Sequence, residues 1–304
     1  MKENRKLLNL KRRSFYYIAI LIPIVQFLIF YLFVNINSIL LAFKDYDLYT
    51  GTYTIVWFDN LRKVFSELLN RPAMSFAIKN TFILFLSSTI VGISLPLLFS
   101  YYIFKKGFLS GTFQVVLYLP SIISSLAFVL MYKYFVELAV PEIFDKLFAV
   151  KIDPLLSTPA SQFGTILFYS LWTCFGVNII LYSNAMSGIS KSIIEAAQLD
   201  GVNAFQEFLL IIIPRIYSTI VVFVVIGVSG MFINQMNLFN FYGTSAEAKL
   251  WTIGYFLYKE IASQRVTIAD YPYLAAYGLV FTMFAVVITF TVKFVMEKLG
   301  PKDE

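Results

Sequence analysis

The stretch Glu195-Ala196-Ala197-Gln198-Leu199-Asp200-Gly201, closed thirteen residues after the glycine by Pro214, is a polar, small-residue island between two long apolar segments. Its residue types suit docking rather than catalysis. Glu195, Ala196 and Ala197 predict the opening of a helix, because acidic side chains favour the N-terminal turn and alanine has the highest helix propensity. Asp200-Gly201 reads as a stop-and-turn signal, since glycine reaches positive φ and aspartate can cap the next element. A second helix is expected from Asn203, a good N-cap, carrying Phe205, Phe208, Leu209 and Ile212 at helical spacing until Pro214 ends it. The expected product is a helix-turn-helix knob whose alanines permit close approach by a partner, as when a helix enters another protein's groove.

A second informative set is polar but uncharged. Trp172, Thr173 and Asn178, then Ser229, Asn234, Gln235 and Asn237, then Ser121, Ser124 and Ser125 lie in or beside apolar runs. Hydroxyl and amide groups mixed with aromatic rings suit a neutral polyhydroxylated ligand, whose hydroxyls need donors and acceptors while its C–H faces stack on rings. The same residue types serve as hydrogen-bond glue between membrane helices, and both readings stand. Other chemistry is poorly provided for. The chain has no histidine, which removes the usual neutral-pH proton shuttle and the commonest metal ligand. Cys174 is the single cysteine, so no intramolecular disulfide forms and inert packing is expected of it. Neither a Gly-x-x-x-x-Gly-Lys-Ser/Thr phosphate cradle nor a His-Glu-x-x-His or Gly-x-Ser-x-Gly motif occurs. No catalytic residue, no metal site and no cofactor of its own are therefore assigned to the chain.

The elements that must position these residues are membrane helices. Hydrophobic residues make up 59% of the 304 and charged residues 14%, with a mean hydropathy of +0.75. Soluble domains run nearer 45–50% apolar and about 25% charged, so an integral membrane protein is indicated. Long apolar windows point to helices rather than a β-barrel. Six stretches reach the roughly 20 residues that cross a hydrocarbon core. They are approximately Phe15–Phe43, Phe76–Phe104, Thr112–Phe135, Ser161–Asn184, Ile216–Asn240 and Tyr273–Val295. Pro23 and Pro96, inside the first two, read as kinks. The first stretch is too long for a signal-peptide core and lacks a small-residue cleavage site, so it reads as a retained span.

Lysine and arginine bias sets the expected orientation. With the N-terminus inside, residues 1–14, the Lys105-Lys106 turn, the loop 185–215 and the end of the chain from Lys293 carry the entire net charge of +6. The outer segments balance to zero. Basic residues facing anionic headgroups account for this charge without any nucleic acid. Residues 1–14 can form an amphipathic surface helix or act as a simple topology anchor. The expected organisation is thus a basic cytoplasmic segment 1–14, a six-span transmembrane domain 15–296 with the loop 185–215 between spans four and five, and a cytoplasmic tail 297–304. Both termini and the Glu195 island lie in the cytoplasm of a multi-pass cell-membrane protein.

From Glu195 to Pro214 the chain closely resembles the EAA loop of binding-protein-dependent ATP-binding-cassette importers. The shared elements are Glu-Ala-Ala, Asp200-Gly201, Phe208, Ile211 and Pro214; it departs at Val202, where alanine is usual, and at Ile213-Pro214, where leucine-proline is usual. The resemblance runs over about residues 15–296. Tyr118-Leu119-Pro120-Ser121 resembles the Leu-Pro element of sugar permeases, with Tyr132 where a tryptophan is often seen. Leu41–Tyr46 and Asp59–Phe65 resemble the outer segment of the maltose and glycerol-phosphate type, the MalF-like branch. The resemblance implies an all-α permease subunit carrying a sugar or oligosaccharide inward by alternating access. It implies a second permease subunit, two ATPase subunits that bind ATP and Mg, and an extracytoplasmic substrate-binding protein. Glu195, Ala196, Ala197, Asp200, Gly201, Phe208 and Pro214 would couple to the ATPase, and the spans flanking the loop would contact substrate. A permease for a peptide or other small polar solute is the alternative. Ion-coupled secondary transport would call for intramembrane acidic residues, which the spans lack.

Overall fold

The computed structural model describes residues 16–17, 19–263 and 267–301 and is mostly helical. The expected N-terminal basic segment and residues 302–304 lie outside the described residues. The chain divides into two compact units, residues 1–67 with 265–280 and residues 68–264 with 281–304.

In the first unit, α1 (Ala19–Leu41) matches the first expected span. It contains a π-helical stretch over Phe27–Phe33, and none of its described residues is buried. A predominantly apolar helix of this length suits a hydrocarbon core. The chain then departs from an all-helical fold: β1 (Lys44–Asp47) and β2 (Thr52–Ile55) pair antiparallel, Lys44 opposite Ile55 and Asp47 opposite Thr52. Asp47 organises the turn by accepting from the Tyr49 N–H at 2.8 Å and the Thr50 hydroxyl at 3.0 Å, and Gly51 supplies positive φ. Those two donors, the Tyr49 amide first, hold the Asp47 carboxyl below its ordinary range. Asn60, at the start of α2 (Asp59–Asn70), is buried; its amide donates to the Ala42 carbonyl at 3.2 Å and the Lys44 carbonyl at 2.6 Å. One side chain thereby fixes the exit of α1 and the entry to the hairpin.

The second unit is organised on α3 (Pro72–Phe104), a 33-residue helix with Pro72 in its first turn. It packs along α6 (Pro159–Ser187), which matches the fourth expected span. Ser100 donates to the Ile179 carbonyl at 2.9 Å, and Asn178 donates to the Gly92 carbonyl at 3.2 Å. Gly92 lies four residues before Pro96, whose missing N–H leaves that carbonyl without its helical donor. Asn178 supplies the bond instead, and α3 continues as a single helix through the proline.

One expected span is broken within its length. The third is α4 (Ser110–Ile122) followed by α5 (Ser125–Phe148) at a bend of 103°. Ile123 is extended at ψ 143°, and the Ser124-Ser125 pair restarts the helix. The expected fifth span begins at the 70° bend at Ile216, between α8 (Ala204–Arg215) and α9 (Tyr217–Ser229). This helix stops at Gly230 rather than reaching Asn240, and an irregular segment with positive φ at Met236 and Asn237 leads to α10 (Leu238–Tyr242). Between α8 and α6 lies α7 (Lys191–Leu199); α11 (Ile253–Ala262) and α12 (Tyr271–Leu299) complete the chain. Among the described residues, four helices are long and apolar enough to cross a membrane, or up to six spans if each bent pair counts as one.

Candidate functional site

The Glu195–Pro214 island forms the expected helix-turn-helix. α7 begins earlier than expected: Ser190, in extended conformation, stands before Lys191, so Glu195 lies in the middle of the helix rather than in its opening turn. The Ser190 hydroxyl does not cap the helix but pairs with that of Ser192 at 2.8 Å. At the other end Gly201 has φ +77°, its N–H bonds the Gln198 carbonyl, and the Val202 N–H reaches back to Ala197 at 3.1 Å. That pair of bonds is a Schellman cap, which satisfies carbonyls the helix leaves open. Asn203 then starts α8 with a complete capping box: its side chain accepts from the Gln206 N–H at 2.9 Å, while Gln206 Oε1 accepts from the Asn203 N–H at 3.1 Å.

The knob has an outer and an inner face. Glu195, Ala196, Leu199, Asp200, Gly201 and Phe205 are exposed, Leu199 to 89% and Phe205 to 69%. Ala197, Phe208 and Ile212 are buried. Phe208 and Ile212 join a cluster with Leu97 of α3, Tyr182 and Met186 of α6, and Ile216 and Ile220, so the knob is rooted between helices. Pro214 sits inside the last turn of α8, and the preceding Phe208–Ile212 is π-helical, with the Ile213 N–H bonded to the Phe208 carbonyl. A proline lacking an N–H and an over-wide turn beside it explain why the helix breaks two residues later.

The expected substrate residues do not all come together. Asn178 and Asn234 line one cavity of about 270 Å³ with Cys174, and Ser88, Thr89 and Gly92 of α3 form part of its wall. Sequence reasoning misses Ser88 and Thr89; the Ser87-Ser88-Thr89 run interrupting the second apolar stretch is the signal that points to them. Asn237, Ser125 and Asn240 form a separate cluster: Asn240 donates to the Ser125 hydroxyl at 2.7 Å, which lies 3.4 Å from Asn237 Oδ1. Ser124 adjoins it as the residue before α5. Trp172 belongs to an aromatic surface with Phe128 and Phe168, at centroid distances of 5.2 and 6.3 Å. Thr173, Ser229 and Ser121 donate to carbonyls of their own helices, at Tyr169, Ile226 and Tyr118. Gln235 is half-buried beside the cavity residue Asn234.

The Asn234 segment is held from two sides. Its Oδ1 accepts from the Met236 N–H, and its carbonyl accepts from the buried Thr252 hydroxyl, both at 2.9 Å. Asn80 of α3 donates to the Lys249 and Trp251 carbonyls at 2.8 and 3.0 Å, and the Thr81 hydroxyl accepts from the Ile253 N–H at 2.9 Å. α3 therefore fixes residues 249–253, which fix Asn234.

Residues 88–302 match the family described as binding-protein-dependent transport system inner membrane component. Among curated proteins, the chain is 24% identical to the arabinooligosaccharides transport system permease protein AraP of Halalkalibacterium halodurans, over 90% of this chain and 85% of that one. It is 28% identical to the polygalacturonan/rhamnogalacturonan transport system permease protein YteP of Bacillus subtilis, covering 75% of this chain and 71% of that protein. Identity to the lactose transport system permease protein LacF of Rhizobium radiobacter is also 28%, covering 63% and 64%. The fold is that of a chain in a bacterial ABC transporter involved in the import of the acidic polysaccharide alginate, with a TM-score of 0.77 over 97% of this chain and 99% of that one at 23% identity. A second structure, of the alginate transporter in complex with alginate pentasaccharide-bound periplasmic protein, matches at 0.75 over 93% and 94% at 24% identity.

Proposed function

The chain belongs to the family of binding-protein-dependent transport system inner membrane components, and we propose on that premise that it is the permease subunit of an ATP-driven importer carrying a sugar or oligosaccharide into the cytoplasm. It is a multi-pass membrane protein, and its assignment is to transport rather than enzymatic catalysis. The observation that carries the reading is the knob: two capped helices joined at Gly201, exposed at Glu195, Ala196, Leu199, Asp200 and Phe205 and rooted through Phe208 and Ile212 among the helices of the second unit. A rigid, surface-exposed element with a deep root suits transfer of force from a partner to the spans. In this reading the outer face enters a cleft on an ATPase subunit, Ala197 packs beneath it, and Pro214 sets the angle at which α8 joins α9.

ATP and Mg would be held by two ATPase subunits, a second permease would complete the pathway, and an extracytoplasmic binding protein would deliver substrate. ATP-driven approach of the ATPases would draw the knobs together and rock the spans between inward- and outward-facing states as rigid bodies. The neutral amides and hydroxyls around the 270 Å³ cavity support a polyhydroxylated solute, with Asn178 and Asn234 meeting it beside Ser88 and Thr89. The curated relatives named for saccharide transport support the same solute class.

The test is Gly201→Val in the reconstituted importer. The αL backbone at φ +77° costs an L-residue about 1–2 kcal/mol, and more for a β-branched one. Loss of ATPase co-purification and of uptake, with membrane insertion intact, is expected. Normal uptake by that variant would remove the knob from the coupling role.

A further inference from the structure

Glu207 is a carboxylate that the knob's docking face does not use, and it is buried to 2% exposure. Its oxygens accept from the ammonium of Lys105 at 3.0 and 3.1 Å, and Lys105 is the residue that ends α3. Tyr101, one turn earlier on α3, places its hydroxyl 3.2 Å from Glu207 Oε1 and 3.0 Å from the Ala204 carbonyl, a donor shared between the side chain and the backbone of α8. Its ring also packs on Phe208 at a centroid distance of 5.0 Å. Four donated or shared bonds thus converge from one end of α3 on the first turns of α8.

Burying an ion pair is a poor way to gain stability, because desolvation of the carboxylate offsets most of the attraction. What such a pair does well is fix geometry, since charge-assisted bonds are short and directional. The apolar root through Phe208 and Ile212 has no comparable direction; greasy surfaces can slide by a rotamer, whereas Glu207 has one register on Lys105. α3 is also the bar that reaches the candidate cavity. Its Ser88, Thr89 and Gly92 form part of the wall, and it is locked to α6 by the Ser100 and Asn178 bonds.

We propose that Glu207, through Lys105 and Tyr101, is the positioning residue that transmits displacement of the knob to α3, and thereby to the Ser88–Gly92 wall of the cavity. The proposal rests on the reading of the knob as the ATPase-docking element and adds the route by which its movement enters the spans. Glu207 contacts neither ATPase nor solute in this scheme.

The experiment uses the complete importer in proteoliposomes with its binding protein, measuring ATPase co-purification, ATP hydrolysis and solute imported per ATP hydrolysed. Glu207→Lys and Lys105→Glu should each retain the ATPase and its hydrolysis while import per ATP falls about tenfold, the scale of an ordinary coupling free energy. The double exchange, Glu207→Lys with Lys105→Glu, should restore import per ATP. Glu207→Gln, which keeps the shape, should fall between. Unchanged import per ATP in both single reversals would overturn the proposal. So would loss of the ATPase from either single variant, which would make Glu207 a folding or docking residue, and so would a double exchange that fails to recover. Failure of the underlying reading shows elsewhere: Gly201→Val would then leave ATPase co-purification untouched, whatever Glu207 does.

Discussion

Gly254 offers a perturbation whose size can be worked from the structure. A Cβ at this position would stand 2.5 Å from the carbonyl carbon and oxygen of Ile233 and 2.7 Å from the Asn234 carbonyl oxygen. These are backbone atoms, so no side-chain rotation relieves them. Gly254 itself cannot retreat easily. Ile253, Tyr255 and Phe256 around it are buried, and the segment entering α11 is tied to α3 through Asn80 and Thr81. Ile233 and Asn234 are exposed and follow the end of α9, so they are the side that yields. Ordinary contact begins near 3.4 Å, and Gly254→Ala must therefore displace the Ile233 carbonyl by about 0.9 Å and the Asn234 carbonyl by about 0.7 Å. The Thr252 hydroxyl bond to the Asn234 carbonyl, now 2.9 Å, lengthens or breaks with it.

Overpacking of this kind costs about 1–3 kcal/mol. A loss of that size lowers the thermal midpoint while leaving a folded protein. The functional loss should be larger, since misplacing a positioning group by about 1 Å costs up to roughly a hundredfold where geometry controls the rate. Uptake of labelled saccharide by the reconstituted importer should fall at least several-fold, with altered preference across a saccharide panel and ATPase co-purification unchanged. Uptake and preference like the parent's, in a variant whose thermal midpoint has dropped, would show that Asn234 does not meet the solute. An unchanged midpoint would mean that the close approach of Gly254 is not enforced.

Two further perturbations address what holds the elements together. Asn178→Leu leaves the buried Gly92 carbonyl without a donor and should cost about 1 kcal/mol, within the range seen for interhelical bonds in membranes. In a Pro96→Ala background the restored N–H satisfies that carbonyl, so the same substitution should cost much less. A double-mutant cycle on thermal unfolding in detergent reads the difference, and equal costs would refute the exchange of donors. Asn60→Ala removes both bonds that join the ends of α1 and β1 to α2 and should destabilise that junction by about 1–3 kcal/mol. Limited proteolysis between residues 44 and 55 should accelerate; an unchanged cleavage rate would show that the hairpin is held by other contacts.

Much of the knob is legible in the sequence because its signals are local. Gly201 needs positive φ, Asn203 and Gln206 complete a capping box within one turn, and Pro214 marks the end of α8; each can be read within a few residues of itself. The start of α7 departs from expectation: the chain is extended at Ser190 and helical from Lys191, four residues before Glu195. The spans are legible from apolar length, but the break in the third and the early end of the fifth are not, since hydropathy is blind to Ile123 turning extended and to α9 stopping at Gly230. Glu207 is invisible for a different reason: its partner lies 102 residues away, and nothing in a surface-loop glutamate announces burial.

Asn178 shows where sequence reasoning stops most clearly. Pro96 is visible as an expected kink and Asn178 as an amide that either meets solute or glues helices. The structure makes them one feature, because the proline frees the Gly92 carbonyl and the amide takes it. With one N–H spent on that bond, the side chain keeps its carbonyl oxygen and a second N–H, and it still lines the cavity. Glue and ligand contact are therefore compatible at this residue. The bond to Gly92 fixes the orientation in which the remaining polar atoms of Asn178 can be presented to a solute.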